Sequence, residues 1–191
     1  MADQLPMANT KSSTLAKSYG VEMKVLIAID DSDCSSNAVD SATRQTWEGD
    51  TEFRLISVMA PIYNEYLLAG LCAPSLEEMQ AEYKNQLKQM IDQKIIQIKK
   101  NHPNNEVSGL VVSGSIAESI LDYAKDWDAD LIILGSHGRT GLEKFWLGSV
   151  AEKVLNHAPC SVEVVKLKKL RVDEKEQNSD SAKSDLSAVI L

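Results

Sequence analysis

The chain has 191 residues, which at ~100–200 residues per domain makes one domain with flanking segments, and its 43% hydrophobic content can build a real core. A formal net charge of −8 excludes nucleic-acid binding through a broad basic face, because neutralising phosphates needs clustered Lys and Arg. No apolar run approaches the length that crosses a bilayer, residues 1–22 lack the apolar centre of a signal peptide, and Cys34, Cys72 and Cys160 form no CxxC pair. Three unpaired cysteines suit small core fillers in a reducing compartment, so a soluble cytoplasmic protein is expected, with no membrane and no nucleic-acid partner.

Residues 1–22 are polar without a sustained period and read as a flexible lead-in. Lys24 to Ile29 (KVLIAI) is a short apolar run stopping at Asp30 and Asp31, the pattern of a central parallel strand that delivers acids to its carboxyl edge, where open α/β sheets bind ligands. Asp31, Ser32 or Asp33 caps the next helix, whose inner face includes Ala38, Ala42 and Trp47. Glu52 to Met59 is the second strand, ended by Pro61, and residues 62–74 form an aperiodic loop that suits a lid or a partner surface. Ser75 and Glu78 have capping-box spacing ahead of Leu76, Met79, Tyr83, Leu87, Met90, Ile91, Ile95 and Ile98, which predicts a helix about 37 Å long whose Met and Tyr stripe is core packing.

Glu106 to Ser113 is the third strand; Ser115 with Glu118 caps a helix through Ile116, Ile120, Leu121 and Ala124 that closes near Asp128. Leu131 to Leu134, bounded by Asp130 and Gly135, reads as a strand buried on both faces. Ser149 and Glu152 again have capping-box spacing before Val150, Ala151, Val154 and Leu155, and Cys160 to Leu167 is a fifth strand. Residues 168–191 mix Lys, Asp, Glu, Ser and Gln and read as a disordered tail, leaving 23–167 as the folded unit. Strand and helix alternate as βαβαβαβαβ, which calls for a parallel sheet with helices on both faces.

The densest signal follows the fourth strand: Gly135, two residues, Gly138, nine residues, Gly148 and Ser149. A strand's carboxyl end and a helix's amino end both abut glycine and hydroxyl residues there, which leaves backbone N–H groups and a positive helix dipole suited to a chain of phosphates. The local alternative is structural: Gly135 and Gly138 shape a turn and Ser149 caps a helix.

This spacing resembles the nucleotide-binding signature of the universal stress protein family. Ile29-Asp30-Asp31-Ser32 resembles that family's opening motif, Val112-Ser113-Gly114 its third-strand end, and Ala158-Pro159-Cys160 its turn into the last strand, so the resemblance spans residues 23–167. It implies a three-layer Rossmann-like fold of the adenine nucleotide alpha hydrolase-like kind, with a five-stranded parallel sheet ordered 3-2-1-4-5. It also implies binding of ATP or AMP, with Ala28, Asp30 and Val58 matching the adenosine end and Gly135, Ser136, His137, Gly138, Arg139, Gly148, Ser149 and Val150 the phosphate end. Members often dimerise through the last strand, where Val162, Val164 and Val165 form an apolar edge that needs pairing or covering. Asp30 and Asp31 add negative charge beside a polyanion, a conflict that a bridging Mg2+ would resolve.

A sensor or switch that binds adenine nucleotide and partner proteins is the expected function. Catalysis needs a base and an electrophile-stabilising group together; Asp30 or His137 with Arg139 supports slow ATP hydrolysis at most. A nucleotide-independent scaffold of the same fold is the alternative. A phospho-acceptor receiver domain resembles this chain at Asp30 and Asp31 but requires an acceptor aspartate, which neither residues 57–59 nor 112–114 supply.

Overall fold

The computed structural model describes residues 23–60, 76–138 and 147–166. The elements run β1 (Lys24–Ala28), α1 (Asp33–Arg44), β2 (Glu52–Met59), α2 (Leu76–Asn101), β3 (Glu106–Ser113), α3 (Ile116–Asp126), β4 (Leu131–Gly135), α4 (Ser149–His157) and β5 (Ser161–Val165). All strand pairs are parallel and the order is β3-β2-β1-β4-β5, the Rossmann-like arrangement expected. The expected lead-in, the 62–74 loop, the Ser75 cap, Cys72, Leu167 and the charged tail lie outside the described residues.

The sheet is the middle layer because its central strands are apolar on both sides. Val25, Ile27, Phe53, Leu55 and Ile133 meet Ala38, Val39 and Ala42 of α1 and Ile91 and Ile98 of α2 on one face. Leu26, Ile56, Val58, Ile132 and Leu134 meet Ala117, Ile120 and Ala124 of α3 and Ala151 and Val154 of α4 on the other. Residues adjacent along a strand thus serve opposite cores, as a period of two demands. Burying each large side chain contributes on the order of 1.5–3 kcal/mol.

Several boundaries differ from expectation. The first strand ends at Ala28, although Ile29 N–H still donates to Ile56 O at 2.9 Å. Helix α1 ends at Arg44, so Trp47 lies beyond it; its indole N–H donates to Ala42 O at 2.7 Å and its ring meets Phe53 edge-on at 5.4 Å. Helix α3 stops at Asp126, and Asp128 takes a left-handed conformation (φ 58°) while Ala129 N–H donates to Ala124 O at 2.9 Å. That closure satisfies the last carbonyls with an aspartate in the place usually held by glycine.

The order reverses between β1 and β4, which pair with Ala28 opposite Leu134. The connections leave these two strands toward opposite faces of the sheet, so a crevice opens beyond their carboxyl ends. Asp30 and Gly135 flank that crevice.

Candidate nucleotide site

Asp30 follows β1 and is fixed by the turn into α1. Ser32 donates to Asp30 Oδ1 through its N–H at 3.1 Å and its hydroxyl at 2.5 Å, and Asp30 N–H donates to Ser35 Oγ at 2.9 Å. The cap of α1 is Ser32, whose Oγ accepts from Ser35 N–H at 3.1 Å. Neither Asp30 nor Asp31 caps the helix; Asp30 instead orients the serine that does.

The loop after β4 is tied down from two sides. Ser136 N–H donates to Val165 O of β5 and Ser136 O accepts from Gly148 N–H, each at 2.8 Å. Ser32 Oγ also reaches His137 O at 3.3 Å, so the ends of β1, β4 and β5 and the start of α4 form one framework. Signature glycines make the close approaches possible. A β-carbon at Gly135 would stand 2.7 Å from the Cys34 carbonyl carbon and 2.8 Å from Ser35 N, and one at Gly148 would stand 3.1 Å from Ser136 O.

Helix α4 corrects one expectation. Its N-cap is Gly148, no side chain caps it, and Ser149 is its first helical residue and exposed. The first helical bond runs from Glu152 N–H to Gly148 O at 2.9 Å, so the N–H groups of Ser149, Val150 and Ala151 have no acceptor within the helix. The Ser149 hydroxyl is not spent on a cap either. Ser115 does sit at the N-cap of α3, as its spacing to Glu118 predicts, although its side chain makes no cap bond, so the spacing placed the cap one residue late only at α4.

These elements enclose a cleft of about 480 Å3, within the ~300–1,000 Å3 of ordinary ligand pockets. Its lining includes Ala28, Asp30, Val58, Gly135, Ser136, His137, Gly138, Gly148, Ser149 and Val150. Of the candidate residues only Arg139 is missing, and it lies outside the described residues. One end is polar, formed by the loop after β4 and the first turn of α4; the other is apolar, walled by Tyr83 and Leu87 of α2, Ile116 and Ile120 of α3, and Val58. That division suits a ligand with an anionic and a planar apolar end.

The charged side chains in the described lining are Asp30, Asp31 and Glu152. Backbone N–H groups and the α4 dipole therefore carry the positive potential among the described residues. Those residues hold no group of three His, Cys, Asp or Glu side chains able to grip a metal by themselves.

Sequence reading missed Tyr83 and Leu87, assigned to core packing, and Ile116, Ile120 and Ser57, which also line the cleft. Tyr83 and Leu87 are four apart on one helix face, so their stripe was visible. Nothing local said that its N-terminal part runs past the sheet and over the crevice. Cys34 is buried as expected, whereas Cys160 is half-buried, with its thiol pushed above the ordinary value by burial and by the charge of Asp130.

The universal stress protein family model matches residues 23–166. The chain belongs to the universal stress protein family. A family relative, universal stress protein MJ0531 of Methanocaldococcus jannaschii, is 32% identical over 157 residues, covering 81% of this chain and 88% of the relative. The solved structure of MJ0577 from the same archaeon is 32% identical with a TM-score of 0.58, covering 77% of this chain and 97% of that one. An Arabidopsis thaliana family protein solved with AMP bound is 18% identical with a TM-score of 0.51, covering 84% of this chain and 98% of that one, a likeness of fold.

Proposed function

We propose that this universal stress protein binds an adenine nucleotide, ATP or AMP, in the cleft between β1 and β4 and acts as a nucleotide-dependent switch. The observation that carries this reading is the meeting of ten signature-matched residues in one cleft whose polar end is the first turn of α4. Phosphates would lie on the N–H groups of Ser149, Val150 and Ala151 and on the loop through His137 and Gly138; the adenosine would take the apolar end beside Ala28 and Val58. Support comes from proteins of the same fold, solved with AMP, with dAMP and with cAMP.

A Mg2+ ion bound with the nucleotide fits the donor set. Asp30 Oδ1 is engaged by Ser32, so Oδ2 of the carboxylate would hold the ion together with phosphate oxygens of the nucleotide. The ion would neutralise charge that Asp30, Asp31 and Glu152 otherwise oppose. Among the described residues the lining forms a cradle and no base–nucleophile pair, which supports reading the site as a binding site with slow turnover at most.

In this reading the signal passes to partner proteins through a homodimer. Strand β5 pairs only with β4 among the described residues, and an open edge of this kind invites a second copy. The deciding experiment is to denature purified protein and identify any released nucleotide, then titrate ATP and AMP with and without Mg2+ by calorimetry. Saturable binding near stoichiometry is expected; no released nucleotide and no heat with either would leave a scaffold.

A further inference from the structure

We propose that Ser57 is a specificity-determining residue whose hydroxyl bonds the base of the bound nucleotide; this deepens, and rests on, the nucleotide reading above. Strand β2 alternates its side chains, so Ser57 belongs to the face of Phe53 and Leu55, which α1 and α2 cover, while Ile56 and Val58 belong to the other. Its neighbours on that face are apolar: Leu55 along the strand, and Val111, its partner in the register with β3. Serines nearby at the strand ends are engaged, Ser32 and Ser35 with Asp30 and Ser136 with His137. Ser57 is 2% exposed, and no described residue bonds its hydroxyl. Thr51 and Ser108 also carry hydroxyls without a partner, but theirs are sealed away from the cleft. Ser57 lines the cleft, so the access its side chain keeps opens onto the ligand site.

The packing of α2 makes Ser57 part of the apolar end. Gly109 on β3 leaves room for Ile91 and Ile95 to lie against the strand, and Leu87, about one turn nearer the amino end of the helix, lines the cleft together with Ser57. Ile116 and Ile120 line it from α3, on the opposite face of the sheet. A flat base entering between these walls meets apolar side chains and, at the strand ends, the Ser57 hydroxyl. A polar group set in a mostly apolar pocket is what fixes a small ligand's orientation. Adenine offers ring nitrogens that accept and an amine that donates, and a serine hydroxyl serves either. The phosphates lie at the other end, on the first turn of α4, so the contact is the same whatever their number.

The test uses the full chain. Ser57→Ala is expected to unfold at the same or a higher urea midpoint than wild type, because a hydroxyl with no protein partner adds nothing to the empty fold. Calorimetry is expected to show its ATP affinity reduced about three- to tenfold, the size of one neutral hydrogen bond. The same factor is expected for AMP, which shares the base, and for deoxy-ATP lacking either ribose hydroxyl. A lower urea midpoint overturns the proposal by making Ser57 structural, and unchanged affinity for ATP and AMP overturns it directly. A loss confined to ATP puts the contact on the phosphates, and a loss that disappears with deoxy-ATP puts it on the ribose; both overturn it too. If wild type binds neither ATP nor AMP, the nucleotide reading fails and takes this assignment with it; if wild type binds and Ser57→Ala binds equally well, the assignment alone falls.

Discussion

A β-carbon on Gly138 would stand 2.9 Å from Oδ2 of Asp30, so the loop after β4 and the end of β1 meet where only a bare backbone fits. Ser32 holds the other oxygen of Asp30 twice, which leaves Oδ2 as the atom that must move. Gly138→Ala is therefore expected to displace the carboxylate and weaken ATP binding at least about tenfold, while costing no more than ~1 kcal/mol of stability, since one carboxylate oxygen can yield. Urea unfolding and calorimetric titration of the same sample check both parts.

Gly135 behaves differently although it belongs to the same signature. Its missing β-carbon would press on the backbone of Cys34 and Ser35, and a helix backbone cannot yield as a side-chain tip can. Gly135→Ala is expected to cost ~1–3 kcal/mol in urea unfolding, the usual range for overpacking a tight core. Lost nucleotide binding in this variant would report the displaced helix.

Ser149 separates stability from binding. Because Gly148 is the cap and Ser149 is exposed in the first turn, Ser149→Ala is expected to stay within ~0.5 kcal/mol of wild type. Ser149→Asp should be as stable or slightly more so, since an acid in the first turn complements the helix dipole. A fixed negative charge against phosphate should nonetheless weaken ATP binding at least about tenfold. Unchanged affinity in Ser149→Asp would move the phosphates elsewhere.

The edge of β5 can be tested through its backbone. Val165 O accepts from Ser136 and Ser161 N–H donates to Asp130 O, at 2.8 and 3.2 Å, so alternate residues 161, 163 and 165 bond inward and the N–H groups of Val162 and Val164 point to the open edge. The Val164 side chain packs against the second core, which makes Val164→Lys disruptive in itself. Val164→Pro removes one outward donor, is tolerated on an edge strand, and should shift a dimer toward monomer in light scattering.

Glu118 on α3 and Lys153 on α4 form an exposed ion pair at 2.8 Å. The Lys153 ammonium, and then the Ser115 hydroxyl, hold the Glu118 carboxyl below its ordinary range. A carboxyl lowered by folding stabilises above its unfolded pKa, roughly 4.3, and that contribution is lost as pH falls through the folded value. The difference in urea midpoint between wild type and Glu118→Gln should thus be small at neutral pH, as exposed pairs are, and should vanish in acid.

The five strands were legible because each is an apolar run bounded by acids, glycine or proline, and β2 and β3 fall on the expected residues. The phosphate end was legible because glycine and serine spacing survives in one dimension. The cap of α4 was misread because a serine three residues before a glutamate fits a cap, as at Ser115, or the first helical turn, as at Ser149, and only backbone conformation separates them. The apolar end was not legible, since Tyr83 and Leu87 are one helical stripe whether a core or a crevice lies beneath.

The sequence by itself determined the alternation of apolar strands and amphipathic helices, and with it a parallel sheet covered on both faces, because local periodicity dictates which sides must be buried. It also determined which chemical groups stand at the strand ends. Only the tertiary structure set β1 in register beside β4, brought Gly138 against Asp30, and put Cys34 beside Ser136. These contacts join residues about a hundred positions apart, and no local preference encodes which distant backbones will pack closely enough to touch.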